Sequence, residues 1–141
     1  MESTKKRAKE EKEILDELST KEELSKIELR ALKHSFQTMI ENLIGKSKKI
    51  LKHYGSPVIP MHAKDAVRFL YEVGMISEEQ YRTFSSAVGL RNVLIHDYMN
   101  FDDAILIKLL KEKRYMDIYL FLIEEPNPSD VIIKRIENFS I

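Results

Sequence analysis

Apolar residues recur at intervals of three and four along most of this chain, with no convincing alternation of period two anywhere. That spacing repeats one face of an α-helix, so the expected fold class is all-α. The longest stripe runs through Leu24, Ile27, Ala31, Leu32, Phe36, Met39, Ile40, Leu43, Ile44, Ile50, Leu51 and Tyr54. Ser19 with Glu22, and Thr20 with Glu23, each fit the S/T-x-x-E box that opens a helix. Gly55, Pro57 and Pro60 close it. The spacing predicts a helix over 20–54, about 50 Å long, with an irregular stretch at 25–30 as the place for a kink. Such a rod is longer than one small domain needs, which points to a second chain sharing it.

Shorter stripes follow. Ala63, Ala66, Val67, Leu70 and Tyr71 predict a helix over 62–72 that stops before Gly74. Ser77 with Gln80 is a further capping box, opening a helix through Phe84, Val88 and Leu94 toward Tyr98, with Asn100 as the stop. Asp102 caps a stripe through Leu106 and Leu110 that continues, or restarts, before 115–123. After Pro126 and Pro128, Ser129 or Asp130 starts an amphipathic helix carrying Val131, Ile132, Ile136 and Phe139. Residues 1–18 are mostly charged, with Ile14, Leu15 and Leu18 as their only apolar cluster, and read as a solvated arm or short helix. The expected organisation is that arm, a helical-bundle domain over 19–125, and a C-terminal helix over 126–141 packed on the same domain.

Composition narrows the picture a little. The 141 residues suit one domain with a real core, and the 23 basic and 23 acidic residues cancel. Total charge therefore names neither a nucleic acid nor a membrane as partner. The absence of cysteine excludes disulfides, thiol nucleophiles and thiolate metal sites, and suits a cytoplasmic location. No apolar run approaches the roughly 18 residues of a spanning helix, and the opening residues lack the apolar region of a signal peptide. The average conceals one local excess: residues 31–60 carry five Lys against a single Glu.

Candidate chemistry is concentrated in one segment, Gly89-Leu90-Arg91-Asn92-Val93-Leu94-Ile95-His96-Asp97-Tyr98. There is no Gly-rich phosphate loop and no H-E-x-x-H, and His34, His53 and His62 stand apart as surface or helix-end residues. An Arg fork suits a phosphate oxyanion, and a His exchanges protons near neutrality. Together they are the minimum for cleaving an RNA phosphodiester without metal: a base for the 2′-OH, a cation for the phosphorus oxygens, an acid for the leaving 5′-oxygen. Arg91 and Tyr98 fall about 20° apart on a helix, whereas His96 lies roughly 140° from Arg91. Either the helix unwinds before His96 or a second chain completes the site. In isolation an Arg paired with an acid and a His closing a helix end explain the same residues.

The run R-N-V-L-I-H-D-Y resembles the R-x-x-x-x-H-x-Y signature of the HepT toxins in the HEPN superfamily. The resemblance also takes in the 18–24 entry, the long helix with Ala31, Ile40 and Ile44, the A-V-R-F-L-Y-E-V-G-M-I-S-E-E-Q-Y stretch and D-D-A-I-L-I-K-L-L. It implies a HEPN-type antiparallel helical bundle that forms a homodimer, and a metal-independent endoribonuclease toxin needing no cofactor. Arg91 and His96 would be catalytic, with Asn92 and Asp97 supporting them. The implied partner besides RNA is a nucleotidyltransferase antitoxin that attaches AMP to Tyr98; a phosphate two residues from His96 would repel RNA. Lys46, Lys48, Lys49 and Lys52 are the candidates for guiding the RNA backbone. The family's first helix is more apolar than residues 1–18, so poor packing is expected there, and 126–141 has no clear counterpart. A non-catalytic HEPN module that binds nucleotides or scaffolds a nucleotidyltransferase stands as the alternative, with a plain helical dimerisation protein as a third.

Overall fold

A computed structural model describes residues 2–140. They form seven α-helices: α1 (Glu2–Ser19), α2 (Lys26–His53), α3 (Ala63–Glu72), α4 (Glu78–His96), α5 (Asp103–Lys111), α6 (Tyr115–Ile123) and α7 (Asp130–Glu137). A 3-10 turn at Tyr98–Asn100 links α4 to α5. No strand occurs among the described residues, and none of their helices is long and apolar enough to cross a membrane.

The charged N-terminal segment is a full helix with a buried seam. Thr4, Ala8, Glu11, Leu15 and Leu18 are buried at spacings of four and three, while Ile14 faces solvent. Two of the five seam positions are polar, which hides the stripe from a count of apolar residues. Instead of packing poorly, α1 lies against both α2 and α6.

Helix α2 starts later than the first two capping boxes indicate. The Ser19 and Thr20 hydroxyls donate to the Asp16 and Glu17 carbonyls, both at 2.7 Å, so they finish α1. The box that opens α2 is Ser25 with Glu28: Glu28 N–H donates to Ser25 Oγ at 3.2 Å and Ser25 N–H to Glu28 Oε1 at 2.9 Å. What looks like a kink in one rod is the boundary between two helices, and α2 is about 42 Å long. Ile27, before the buried stripe begins, is 80% exposed.

The remaining boundaries follow local chemistry. Ser77 and Gln80 form the reciprocal box of α4, Asp102 accepts from Ala104 N–H, and Ser129 accepts from Ile132 N–H. Gly55 and Gly74 take φ of 85° and 87° just after α2 and α3, the left-handed turn where a Cβ costs about 1 kcal/mol or more. The same turn separates α5 from α6, but there Lys113 occupies it at φ 53°.

Pairs of named residues give the helix directions. Asp16 meets Tyr115, Lys12 stands 5.3 Å over the Tyr119 ring and Lys5 pairs with Glu125, so α1 and α6 are antiparallel. Lys33 meets Tyr98 at one end of α2, while Lys46 and Ile50 share a cavity with Ile76 and Gln80 toward the other, so α2 and α4 are antiparallel too. Helix α2 is the hub, with α1, α3, α4, α5 and α6 all against it. The core joins Phe36, Met39, Leu43, Phe69, Phe84, Leu94 and Tyr115 among others. Helix α7 caps the far end from Tyr98, with Ile136 buried and Phe139 4.4 Å from Phe69.

Candidate active site

Helix α4 carries Arg91 to His96, and Asp97 and Tyr98 follow it. The chain stays α-helical through His96, then breaks at Asp97 (φ −142°, ψ 46°) into the 3-10 turn of Tyr98–Asn100. Of the two ways to bring the groups together, unwinding before His96 does not occur. Arg91 and His96 therefore keep roughly 140° of rotation and 7.5 Å of rise between them. One helix does not aim both at a single point.

Their surroundings differ. Arg91 is half-buried, with Nε shut off from solvent and without a hydrogen-bond partner, and no acidic side chain pairs with it among the described residues. An Arg paired with an acid is thus not what this position holds. Asn92 beside it is half-buried, whereas His96, Asp97 and Tyr98 are exposed. Asp97 Oδ1 accepts from Asn100 Nδ2 at 3.1 Å, which closes the 3-10 turn. The outward line of α4 is Arg82, Ser86, Gly89, Val93 and His96, at helical spacings of four and three. A Cβ added at Gly89 would meet nothing within 4 Å, so this line is open to a neighbour.

The four basic candidates on α2 separate. Lys46 is a correction: it is 2% exposed, and its Nζ donates to the carbonyls of Phe121, Leu122 and Glu124 at the end of α6. It caps a helix instead of meeting RNA. Burial lowers its pKa, while Glu124 and Glu125 counteract. Lys46 stands three residues after Leu43 and four before Ile50, both buried, and that spacing was the signal for its inward position. Lys48 is half-buried, and Lys49 and Lys52 are exposed. They lie about 22 to 28 Å along α2 from Lys33, at the end remote from His96.

Two features beside the segment escape sequence reasoning. Lys33 Nζ stands 4.6 Å from the centre of the Tyr98 ring and 2.9 Å from Asp103 Oδ1. A groove of about 340 Å³ between α2, α4, α5 and α6 is lined by Phe36, Ala87, Leu90, Leu109 and Tyr115, with Arg82 and Arg114 beside them. Its lining residue Leu90 immediately precedes Arg91.

A family model described as "Ribonuclease HepT-like" matches residues 5–124, and the chain belongs to this HepT-like family. The match takes in α1 to α6 and Arg91–Tyr98, and leaves α7 outside. No curated protein and no solved structure matches the chain.

Proposed function

We propose that this chain is a toxin of the HepT type, a metal-independent endoribonuclease that works as a homodimer. The observation that carries the reading is an unpaired, half-buried Arg91 on the same helix as an exposed, helix-terminal His96, inside the family-matched region. The open line of α4 supports a second copy packing there, because Ser86 and Gly89 let another helix approach closely. Two copies supply two His96 side chains. One accepts the proton of the 2′-OH as its oxygen attacks the adjacent phosphorus; the other protonates the departing 5′-oxygen. Arg91 stabilises the charge on the phosphorus oxygens. Asn92 and Asp97 support the two ends of this arrangement.

A nucleotidyltransferase antitoxin is the proposed partner, adding AMP to Tyr98, whose exposed phenol accepts such a group. The negative phosphate beside His96 then opposes RNA. Lys48, Lys49 and Lys52 are retained as contacts to the RNA backbone away from the bond that breaks; Lys46 is not.

The experiment compares wild type, Arg91→Ala and His96→Ala on RNA in the presence of a metal chelator. Cleavage by wild type and its loss by at least about a hundredfold in either variant is the expected result. Cleavage that needs metal, or that survives both substitutions, overturns the mechanism. Mass spectrometry of the chain co-expressed with a cognate nucleotidyltransferase reads the adduct, expected on Tyr98 and absent from Tyr98→Phe.

A further inference from the structure

We propose that Lys33 is a positioning residue for the active site, a side chain that helps fix where the chain goes immediately after His96. Every residue from Ile95 to Asn100 is exposed. Beyond the α4 ladder their hydrogen bonds are local: Asp97 N–H to the Val93 carbonyl, and Asn100 to Asp97 through both backbone and side chain. A contact that reaches another element comes from Lys33, rising from the third turn of α2 with its ammonium over the Tyr98 ring. A cation on an aromatic face gains more when water is excluded, and the Lys33 side chain is only 12% exposed. Asp103 Oδ1 stands 2.9 Å from the same ammonium, an ion pair without hydrogen-bond geometry, and is itself shut off from solvent.

Three elements meet in this clamp. Helix α2 supplies the cation, the 3-10 turn supplies the ring, and the first turn of α5 supplies the carboxylate. His96 is the last residue of α4 and two residues before the clamped ring, so the helix sets its backbone and the clamp sets the path of the exposed turn that leaves it. Lys33 is already neutralised by Asp103 and turned inward, so it acts through Tyr98 and not on the RNA phosphate. Its effect therefore belongs in the chemical step and not in binding.

The inference rests on the ribonuclease reading, and two measurements keep the two apart. In RNA cleavage, Lys33→Met, which keeps the stem and removes the charge, is expected to lower kcat about tenfold with KM within twofold. Lys33→Arg is expected to restore most of it, and Asp103→Asn to fall between. Urea unfolding confirms that each variant is folded. A wild-type kcat in Lys33→Met overturns the proposal, as does a raised KM with kcat unchanged, which would make Lys33 an RNA contact. The second measurement needs no activity. Lys33→Met is expected to shift the Tyr98 ring resonances, identified by their loss in Tyr98→Phe, and to speed amide exchange at 98–100 about tenfold. If wild type cleaves no RNA, the ribonuclease reading fails while the clamp is judged on these signals. Unmoved signals overturn the clamp itself.

Discussion

The Tyr115 hydroxyl donates a 2.6 Å hydrogen bond to Asp16 Oδ1, joining the start of α6 to the last turns of α1 across 99 positions of sequence. Burial, and then the bond to Asp16, push the Tyr115 phenol up to about 12. Asp16 responds in the opposite sense. Burial raises its pKa, but the bonds from Lys12 and Tyr115 outweigh that and leave it lowered.

Tyr115→Phe is expected to cost about 1 to 3 kcal/mol in urea unfolding near neutral pH, the range for a bond to a charged acceptor. The pH profile identifies the cause. A phenol whose pKa is raised on folding contributes stability that is whole below about pH 10 and vanishes as pH rises toward 12. Wild type is therefore expected to lose about 2 to 3 kcal/mol over that window through this group, and Tyr115→Phe to lack that loss. The lowered Asp16 works at the other end: its share is present above about pH 4 and disappears as pH falls through its folded value.

Ser25→Ala removes the side chain that caps α2 and is expected to cost about 1 kcal/mol by thermal or urea unfolding. Thr20→Ala, whose hydroxyl back-bonds to the end of α1, is expected to cost less than about 0.5 kcal/mol, and Ser19→Ala less than Ser25→Ala. The reverse ranking would place the helix boundary six residues earlier.

Lys113→Gly is expected to stabilise the chain by about 0.5 to 1 kcal/mol. The position sits at φ 53° and closes α5 with Lys113 N–H on the Leu110 carbonyl and Arg114 N–H on the Leu109 carbonyl, both at 3.0 Å. Glycine keeps those bonds and removes the left-handed strain, against the extra freedom it gains when unfolded. A shift in urea midpoint at unchanged slope is the measurement.

Of the four α2 lysines proposed from sequence, Lys46 serves stability, and Lys48, Lys49 and Lys52 remain the proposed RNA contacts. Lys46→Ala strips three carbonyls of their donor and is expected to cost about 3 to 5 kcal/mol. Because burial lowers the Lys46 pKa, the unfolded chain holds its proton longer, so this group by itself adds stability as pH rises toward 10. Lys49→Ala and Lys52→Ala are expected to leave stability within about 0.5 kcal/mol. In RNA binding each is expected to flatten the dependence of log K on log salt by about 0.7.

Much of this architecture is written in short-range chemistry. Ser77 with Gln80, Asp102, Ser129, Gly55 and Gly74 mark helix ends because caps and left-handed turns are decided within four or five residues. The all-helical fold follows equally from the spacing of apolar positions. The start of α2 was harder: Ser19 and Thr20 fit the box pattern, and only the packed structure reveals that their hydroxyls are spent on α1 while Ser25 opens α2. The seam of α1 escaped because Thr4 and Glu11 occupy buried positions, and a polar residue shows its burial only once its neighbours are known. At the site, Arg91, His96 and Tyr98 stand out by residue type. Lys33 carries no such mark: nothing around it in sequence names a ring 65 positions later or an acid 70 positions later.

Lys46 ties the bundle together across a long stretch of chain. The end of α6 is satisfied by a residue 75 positions before it, and its start is tied to α1 by Tyr115. Contacts of such separation form late, because the loop between them must close before they repay its entropy. A chain made from its N-terminus has α2 to set against α1 early, whereas the α6 side of α1 stays uncovered until residues 115–123 have been added. The face of α1 turned to α6 is thus covered later than the face turned to α2, and the many lysines and glutamates of the same helix favour solubility until then.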